Sequence, residues 1–530
     1  MTGQKTIPIV VGVTGHRNIR SEDRDALYGA VLRALSDLKA RCPHTELILL
    51  NSLAEGADQL CAEAAASLSI PFIAVLPMER SEYERDFSGD ALQRFRALCG
   101  AAKECFVAPA IEQAPPSPDR DFAYRQAGIY VAAHAHLLLA LWDGKPLSGK
   151  TCGTAETVRF ALENAYDPKD GIPLHGSPAV LHIFTPRETD KDGQAGAVRF
   201  LGDQAAFSGI LKHTDEFNRL SEETATCAAP LLPQDREPDE ALDRAEALYA
   251  AADALSVRFQ TQYRRILAVL AVISTVITAA FLLYDEANLH WMILVCGLML
   301  FAAWFVQHRG KRIACHRRYL EYRTLAESLR VQSFLRYAGS RICVSDILPW
   351  SAQTDAAWIS AALRVVPIAG SPYGAHSIRK PWVEDQLAYH IRAGRKSERA
   401  RAGSERTVGI ALSVSIALYL LVLIFELVWG DLLPVSGHIQ NAELYRMLSK
   451  LLLGGISAAT LFISNYYGRL SLSRAAADHQ KMARFYTAIL SRIEQSGETG
   501  DLLLLLAREE LIENGNWCSY RRDNSADFSL

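Results

Sequence analysis

The residues whose types suit phosphate binding follow a short apolar run in the first third of the chain. Asp143 and Gly144 end the run, and a helical pattern resumes after Gly153 and Thr154, with Glu156 in its first turn. The N–H groups at the start of a helix and a threonine hydroxyl are suited to holding a phosphate. This stretch therefore predicts a binding site for a phosphate-bearing ligand.

Polar and glycine residues also occur at the ends of two earlier apolar runs. Glycines allow backbone N–H groups to approach an anion, and an arginine beside them adds positive charge. A carboxylate after the second run can accept hydrogen bonds from ribose hydroxyls. The candidate residues at the first run are Gly12, Thr14, Gly15, His16 and Arg17, and those after the second are Glu55, Gly56 and Asp58.

Each of these residues also has an ordinary structural interpretation. A lone G-x-x-G after a strand is often a tight turn. Asp58 can be a helix N-terminal residue that interacts with the helix dipole, and Thr154 can be a simple N-cap. His16 is more often a structural, hydrogen-bonded histidine than a general base. A ligand site is favoured because three neighbouring strand ends all carry glycine and polar residues.

The elements that position these residues form a repeating pattern. Between residues 1 and 190, short apolar runs alternate with stretches of helical spacing. Such alternation predicts a parallel sheet with right-handed crossovers, and the near-continuous apolar runs indicate that helices cover both faces. In such sheets, ligands bind at the carboxyl ends of the strands. The predicted fold of residues 1–190 is a Rossmann-like α/β domain with its last strand at Val180–Phe184.

Composition excludes several classes of protein. The chain has 530 residues, a net charge of −3 and 9% aromatic residues, which is typical of ordered protein without a basic nucleic-acid groove. Its ten cysteines are scattered and include no C-x-x-C, which indicates reduced thiols in a cytosolic compartment rather than disulfides or a zinc site. The first residues lack the pattern of a signal peptide. We expect no metal, no cofactor and no nucleic-acid partner.

The second half of the chain contains four apolar stretches long enough to cross a bilayer. Short connections join them into two hairpins, and a charged helical segment follows each hairpin. The predicted fold is therefore the α/β domain followed by an all-α, four-span transmembrane region with long cytoplasmic helices. The predicted spans lie at about 266–284, 290–307, 408–429 and 450–467. The segments predicted after the α/β domain are a linker over 191–238, a first two-span module over 239–345, a connector over 346–381, a second two-span module over 382–515 and a tail over 516–530.

Positive charges lie on one side of both hairpins. Arginines and lysines precede the first and third spans and follow the second and fourth, whereas the hairpin tips carry Asp285, Glu286, Asp431 and Glu443. By the positive-inside rule, both termini and the α/β domain are cytoplasmic. A soluble alternative, in which the four stretches are buried core helices, is disfavoured by their lengths and charged flanks.

The first domain resembles a known superfamily. The segments GVTGHR, SLAEGADQL and LALWDGKP…GTAETV, in this order, are similar to the SLOG superfamily, which groups LOG-type phosphoribohydrolases with DprA-like and TRPM-type nucleotide-sensing domains. The resemblance covers about residues 5–186 and implies a nucleotide-type ligand. In LOG enzymes, glycines and a threonine hold the phosphate, and a glutamate and an arginine take part in N-glycosidic cleavage. The matching residues here are Gly153, Thr154, Glu156 and, in the preceding helix, Arg125.

The chain departs from those enzymes in the catalytic part of the motif. Trp142-Asp143-Gly144 stands where Pro-Gly-Gly is expected, and a longer insert precedes Gly153. Glu156 follows the threonine by two residues instead of three, and the Arg-Lys pair of the enzymes is not reproduced. The resemblance therefore favours a sensor that binds a nucleotide over an enzyme that cleaves one. Arg125 and Glu156 are candidate catalytic residues only if the chain is a hydrolase.

The membrane modules resemble SLATT domains, two-span effector modules attached to SLOG and nucleotidyltransferase proteins in bacterial defence loci. The resemblance covers about residues 240–515, with the module present twice. It implies a homo-oligomeric, multi-pass effector of the bacterial inner (plasma) membrane, in which a nucleotide-derived signal gates or assembles a pore. The alternatives are a membrane-anchored nucleoside monophosphate phosphoribohydrolase and an anchored scaffold.

Overall fold

The chain forms two compact units. The computed structural model describes residues 6–111, 119–146, 153–163, 179–187, 194–224, 230–233, 236–286, 289–349, 353, 356–368, 375–429, 442–470 and 472–523. The first unit comprises Met1–Leu255, Glu321–Ser377 and Gly500–Ser519, and the second comprises Ser256–Leu320, Ile378–Thr499 and Tyr520–Leu530. Each unit is therefore assembled from segments that are distant in sequence.

The first unit is built around a seven-stranded sheet in the order β4-β3-β2-β1-β5-β6-β7. All neighbouring strands are parallel except β6 and β7, which are antiparallel. Because β5 adds beside β1 on the side away from β2, the sheet has a topological switch point between β1 and β5. The strands are β1 Ile9–Gly15, β2 Leu47–Asn51, β3 Phe72–Leu76, β4 Glu104–Val107, β5 Leu137–Trp142, β6 Ala179–Phe184 and β7 Val198–Gly202.

Helices pack on both faces of this sheet. Side chains that alternate along β1 separate the faces, since Ile9, Val11 and Val13 join a core with α1, α2 and α4, whereas Gly12 meets α5. The helices are α1 Arg24–Arg41, α2 Ala57–Ser67, α3 Arg80–Tyr83, α4 Gly89–Ala101, α5 Arg120–His134, α6 Thr154–Glu163, α7 Gln204–Glu222, α8 Glu240–Glu286, α9 Met292–Ile313, α10 Cys315–Tyr337, α11 Val344–Ile347, α12 Ala357–Val365, α13 Asp385–Trp429, α14 Ala442–Leu470, α15 Leu472–Ser496 and α16 Gly500–Asp523.

The α/β prediction is confirmed in its parallel core and differs at its carboxyl-terminal end. The sheet is not wholly parallel, because β7 adds an antiparallel edge. Residues 191–238, for which the sequence predicts a linker, contain both β7 and α7. Strand β7 is an exposed edge with Val198 53% accessible, whereas Phe207 and Leu211 of α7 are buried in the sheet core. The continuous apolar run that marks the parallel strands is therefore missing here.

Helix α7 is fixed to the sheet by the side chain of Asn218. Its amide oxygen accepts the N–H of Ile7 at 2.8 Å, and its amide nitrogen donates to the Ile7 carbonyl at 2.9 Å and the Thr45 hydroxyl at 3.0 Å. One turn earlier, Asp215 accepts the N–H of His44 and the Thr45 hydroxyl, both at 2.8 Å. Because Ile7 precedes β1 and Thr45 precedes β2, α7 lies at the amino ends of these strands.

Another side of α7 contacts a second helical layer in the first unit. The ring centre of Phe217 lies 5.7 Å from that of Tyr322 in α10 and 6.0 Å from that of Trp358 in α12. Trp358 is buried, and its indole nitrogen donates to Glu321 at 3.2 Å. Helix α7 is therefore held between the sheet and the layer that contains α10 and α12.

Three helices of the chain are long and apolar enough to cross a membrane. The predicted spans at 266–284, 290–307 and 408–429 lie in α8, α9 and α13, and most of their apolar side chains are exposed, with Leu294 73% and Leu421 62% accessible. The fourth predicted span, 450–467, lies in α14, where the apolar segment Met447–Thr460 is shorter. The predicted connection of the second hairpin, 430–441, lies outside the described residues.

The helices that contain the first two predicted spans differ in continuity. Helix α8 runs without a break for 47 residues. Helix α9, in contrast, ends at Ala314, which has left-handed dihedral angles of φ 51° and ψ 38°, and α10 begins at the next residue. Left-handed backbone costs a residue with a Cβ about 1–2 kcal/mol, so this break is maintained by its surroundings.

Helices α13 and α15 are joined by a pair of histidines outside the apolar segments. The Nδ1 atoms of His390 and His479 are 3.0 Å apart, and the His390 ring stacks on Tyr486 at 5.6 Å. Burial lowers the pKa of His479. One imidazole must donate and the other accept in this hydrogen bond, so the contact requires at least one neutral ring.

We expect Asn218→Ala to destabilise the first unit, because the buried N–H and carbonyl of Ile7 would lose their partners. The expected loss is about 2–5 kcal/mol of unfolding free energy, measured as a lower thermal midpoint of the full chain in detergent. Arg219→Ala, which removes only the exposed pair with Glu223, is the control and should leave the midpoint nearly unchanged. Equal midpoints for both variants would show that Asn218 does not hold α7.

Candidate functional site

His16 and Asp143 meet at the carboxyl ends of β1 and β5. The Nε2 atom of His16 accepts the N–H of Asp143 at 3.1 Å and lies 3.3 Å from its Oδ1. Both residues are buried, and the Asp143 side chain is only 1% exposed. Because Nε2 accepts a hydrogen bond, the neutral ring carries its proton on Nδ1. The two residues therefore join the strand ends at the topological switch point.

Asp143 also pairs with Arg187, which the sequence analysis did not identify. The Nε atom of Arg187 lies 2.9 Å from Oδ2 of Asp143, and the Arg187 backbone forms a bridge with Ile19 in the segment after β1. The Arg187 guanidinium therefore compensates the charge of this buried carboxylate. The sequence feature that could have identified Arg187 is its position, because it is the first charged residue after β6.

Gly15 and Gly56 allow the segment after β1 to approach the start of α2. A Cβ on Gly15 would lie 2.3 Å from that of Ala57, and one on Gly56, which has φ +85°, would lie 2.1 Å from the Arg17 carbonyl oxygen. The N–H of Ala57 donates to the His16 carbonyl at 3.0 Å. These glycines therefore permit a contact between two segments of protein, and that contact occupies the first N–H of α2.

Gly12 and Thr14 lie within β1 rather than beyond its end. A Cβ on Gly12 would lie 2.9 Å from side-chain carbons of both Val131 and Ala135, so this glycine allows close packing of α5 on the strand. Thr14 is paired with Ala140 of β5. The anion-binding role predicted for Gly12 does not fit this placement, because its backbone is enclosed by the helix.

Arg17 is a half-exposed cation of this region, as Arg187 is. Its side chain is 47% exposed, its guanidinium lies 5.1 Å from the centre of the Tyr124 ring, and it is 3.8 Å from the Asp86 carboxylate. An arginine stacked on a ring is held in a defined direction while its N–H groups can still reach an anion. Tyr124 and Asp86 are further residues that the sequence analysis did not identify.

Asp58 is buried in the first turn of α2, and Glu55 is exposed in the turn before it. Oδ2 of Asp58 accepts the N–H of Ala54 at 3.3 Å. Burial raises the pKa of the Asp58 carboxyl to about 7, although the hydrogen bond from Ala54 and the charge of Arg17 oppose this change. Near neutral pH, Asp58 therefore exchanges between charged and neutral forms, whereas the Glu55 side chain is exposed to solvent.

Gly153 and Thr154 begin helix α6, as predicted. The Gly153 carbonyl accepts the N–H groups of Glu156 and Thr157, both at 3.0 Å. A Cβ built on Gly153 would meet no heavy atom within 4 Å, so nothing in the described part of the chain crowds this helix start. Gly144 has φ +78° immediately after Asp143, and the insert at 147–152 lies outside the described residues.

Arg125 and Glu156 form a direct ion pair between α5 and α6. Arg159 lies 3.8 Å from the same carboxylate oxygen, and the Arg125 guanidinium is 4.7 Å from the centre of the Phe160 ring. Glu156 is buried. The structure therefore brings together the two residues that the resemblance implies for cleavage, and two arginines compensate the charge of the glutamate.

Eight of the predicted residues form two groups. The first, which we call the switch-point cluster, combines the end of β1, the start of α2 and the end of β5. The second is the α5–α6 pair of Arg125 and Glu156. The switch-point cluster consists of Gly15, His16, Arg17, Gly56, Asp58 and Asp143, with Arg187 added by the structure.

A cavity of about 800 Å³ lies elsewhere in the first unit, beside edge strand β4. Phe106 and Tyr130 line it from the sheet domain, and Arg341, Cys343 and Arg364 line it from the second helical layer. None of the residues predicted to bind a ligand is among the described residues that line this cavity. It is therefore separate from the switch-point cluster.

Comparison with known proteins does not assign this chain to a family. The sequence matches no protein-family model, and no curated protein matches it significantly. Among the described residues, no group of three or more His, Cys, Asp or Glu side chains is arranged to hold a metal ion. The described groups at the switch-point cluster are the Arg17 and Arg187 guanidiniums, the His16 ring and the carboxyl groups of Asp58 and Asp143.

We expect the free energy of unfolding to depend on Asp58 as pH changes. The pKa of about 7 in the folded chain exceeds the ordinary value of 3.8, so this stabilisation is complete below about pH 4 and is lost as the pH rises through 7. The expected slope is up to ~1.4 kcal/mol per pH unit. Asp58→Asn should abolish this decline in denaturant titrations across the pH range.

The matched control for this measurement is Glu55→Gln, at an exposed carboxylate three residues earlier. It should retain the pH dependence of the unaltered chain, because the substitution leaves the buried Asp58 carboxyl in place. If Asp58→Asn and the unaltered chain lose stability equally between pH 4 and 7, Asp58 does not carry the buried proton.

Proposed function

We propose that this chain is a membrane effector in which a nucleotide or nucleotide-derived signal binds at the switch-point cluster and changes the state of the membrane helices. The observation that supports this most directly is the convergence of Arg17, Asp58 and Asp143 at the topological switch point. Open α/β sheets bind their ligands at this position. The half-exposed Arg17 suits a phosphate, and Glu55 suits a ribose.

The contacts of α7 support a connection between the α/β domain and the membrane helices. Phe217 of α7 touches Tyr322 of α10, and α10 follows directly on the apolar helix α9. A ligand can shift this system only if it binds two states with different affinity. The proposal therefore includes at least two arrangements of the chain or of its oligomer.

The proposed topology has four spans, with α14 providing the fourth and both termini in the cytoplasm. The arginine and lysine residues next to the spans and the acidic hairpin tips support this orientation. The resemblance to SLOG and SLATT proteins supports a homo-oligomeric pore in a bacterial inner membrane. Membrane crossing by α8, α9 and α13 is supported independently by their length and exposed apolar surface.

Binding is tested by calorimetry of the full chain in detergent against nucleotides, cyclic nucleotides and ADP-ribose derivatives. We expect one of these to bind, and Arg17→Ala to weaken its binding roughly 10- to 100-fold through the loss of charge-assisted hydrogen bonds. Arg33→Ala, at an exposed arginine of α1, is the matched control and should bind normally. If no member of the panel binds the folded chain, the sensor proposal fails.

The membrane step is tested in cells that express the chain and carry a membrane-potential dye. A ligand-gated pore should depolarise them when the ligand identified by calorimetry is supplied, and Arg17→Ala should reduce this effect at equal expression. An anchored scaffold would leave the potential unchanged in both cases. That outcome would retain ligand binding but reject the pore.

A membrane-anchored phosphoribohydrolase is the second candidate, and the direct contact of Arg125 with Glu156 is the observation that favours it. It predicts release of free base from a nucleoside monophosphate and loss of that release in Glu156→Gln. Chromatography of the products distinguishes the two functions. Binding without release of base supports the sensor, whereas release that depends on Glu156 supports the enzyme.

A further inference from the structure

A small pocket lies between α8 and α9 at one end of their apolar segments. It has a volume of about 160 Å³, and the residues that line it all belong to the second unit. The two helices approach closely beside it, since a Cβ on Gly310 of α9 would lie 3.4 Å from the Cδ1 atom of Ile266 in α8. Its lining residues lie within 263–270 and 307–317. The pocket is therefore placed where the first predicted span begins and the second ends.

Helix α8 contributes apolar side chains to this pocket, and the junction of α9 with α10 contributes basic ones. Ile266, Leu267 and Leu270 line it from the first predicted span. Lys311 and Arg317 line it from the segment after the second span, and both are exposed. None of the described residues that line the pocket is acidic. The pocket therefore attracts an anion to a place that also offers apolar surface.

The helix break at Ala314 brings these two basic residues to the same pocket. Arg317 follows Lys311 by six residues, and on an uninterrupted helix such residues point about 120° apart. Ala314 ends α9 with left-handed dihedral angles, α10 begins at the next residue, and both basic residues line the pocket. The ring centres of Tyr263 in α8 and His316 in α10 lie 4.6 Å apart, so the start of α10 packs against α8. The break therefore has the effect of pairing two cations beside α8.

We propose that this pocket binds the headgroup of an anionic phospholipid, with Lys311 and Arg317 binding its phosphate. Basic pockets between membrane helices on the cytoplasmic side bind such headgroups. The volume also favours part of a lipid over a whole soluble ligand, because pockets that enclose a drug-sized molecule measure roughly 300–1,000 Å³. The inference rests on the proposed crossing of the membrane by α8 and α9.

The surface of α8 beyond the pocket suits the acyl chains of the same lipid. Leu270 lines the pocket, and the neighbouring Val269 and Val272 are 47% and 64% accessible. A chain that leaves the pocket in the direction of the span therefore meets apolar surface, which a soluble phosphate would not use. This contact is the reason for assigning the site to a phospholipid.

The test measures lipid binding to the full chain in detergent by native mass spectrometry, with phosphatidylglycerol and phosphatidylcholine of identical acyl chains. We expect phosphatidylglycerol to bind more tightly. Lys311→Ala and Arg317→Ala should each weaken its binding about fivefold, which is the contribution of one cation near anionic lipid. Both side chains are exposed, so the variants should remain folded. Lys311→Arg keeps the charge and should bind normally.

Arg312→Ala is the matched control, because Arg312 is exposed and adjacent to Lys311 but does not line the pocket. It should bind phosphatidylglycerol like the unaltered chain. Equal losses in Lys311→Ala and Arg312→Ala would overturn the proposal, because the attraction would then belong to the basic surface as a whole.

A competition experiment separates a phospholipid from a soluble phosphate. Glycerol 3-phosphate carries the phosphate without acyl chains, so at equal concentration it should not displace phosphatidylglycerol. Displacement would overturn the lipid assignment. Equal binding of the two lipids would overturn this site alone, since nucleotide calorimetry tests the sensor proposal separately. A chain that stays in solution without detergent would overturn both the site and the proposed crossing of the membrane.

Discussion

The architecture of the first unit depends on helix α7, which contacts both the sheet and the helical layer that contains α10 and α12. Asn218 of α7 bonds to the sheet, and its neighbour Phe217 contacts α10 and α12. Consecutive helical residues point about 100° apart, so one turn can serve both surfaces. The Asn218 amide is fully buried, and water cannot replace its bonds if the helix shifts. Hydrogen bonding at the amino ends of β1 and β2 therefore fixes the second helical layer.

This anchoring places two important regions at opposite ends of the same strands. The switch-point cluster lies at the carboxyl end of β1, whereas α7 lies beside Ile7 at its amino end. The seven residues of β1 extend for about 23 Å. Any influence of a ligand on α7 must cross that length through strands and helices that are already closely packed. Discrete rearrangement of packed elements, rather than gradual deformation, is the form of change that such a core permits.

Elements that a continuous apolar run marks could be predicted from the sequence. Features that depend on contacts between residues distant in sequence could not. Strands β1, β2, β3, β5 and β6 are marked by apolar runs because most of their residues are buried, whereas β7 is an exposed edge strand, and both it and α7 were assigned to a linker. The residue types of the switch-point cluster were predicted, but Arg187 depends on a strand pairing that the sequence does not show. Glycines posed a similar problem, since Gly12 serves helix packing and a sequence cannot distinguish this from contact with an anion.

The break at Ala314 gives two neighbouring long helices different mechanical properties. Helix α8 is continuous over 47 residues, about 70 Å, and an unbroken hydrogen-bonded helix carries torsion from one end to the other. Between α9 and α10, the left-handed residue interrupts the hydrogen-bond ladder. Helices α9 and α10 therefore do not share one continuous hydrogen-bond ladder, unlike the two ends of α8. Helix α8 is thus a single continuous element, whereas α9 and α10 are two elements joined at Ala314.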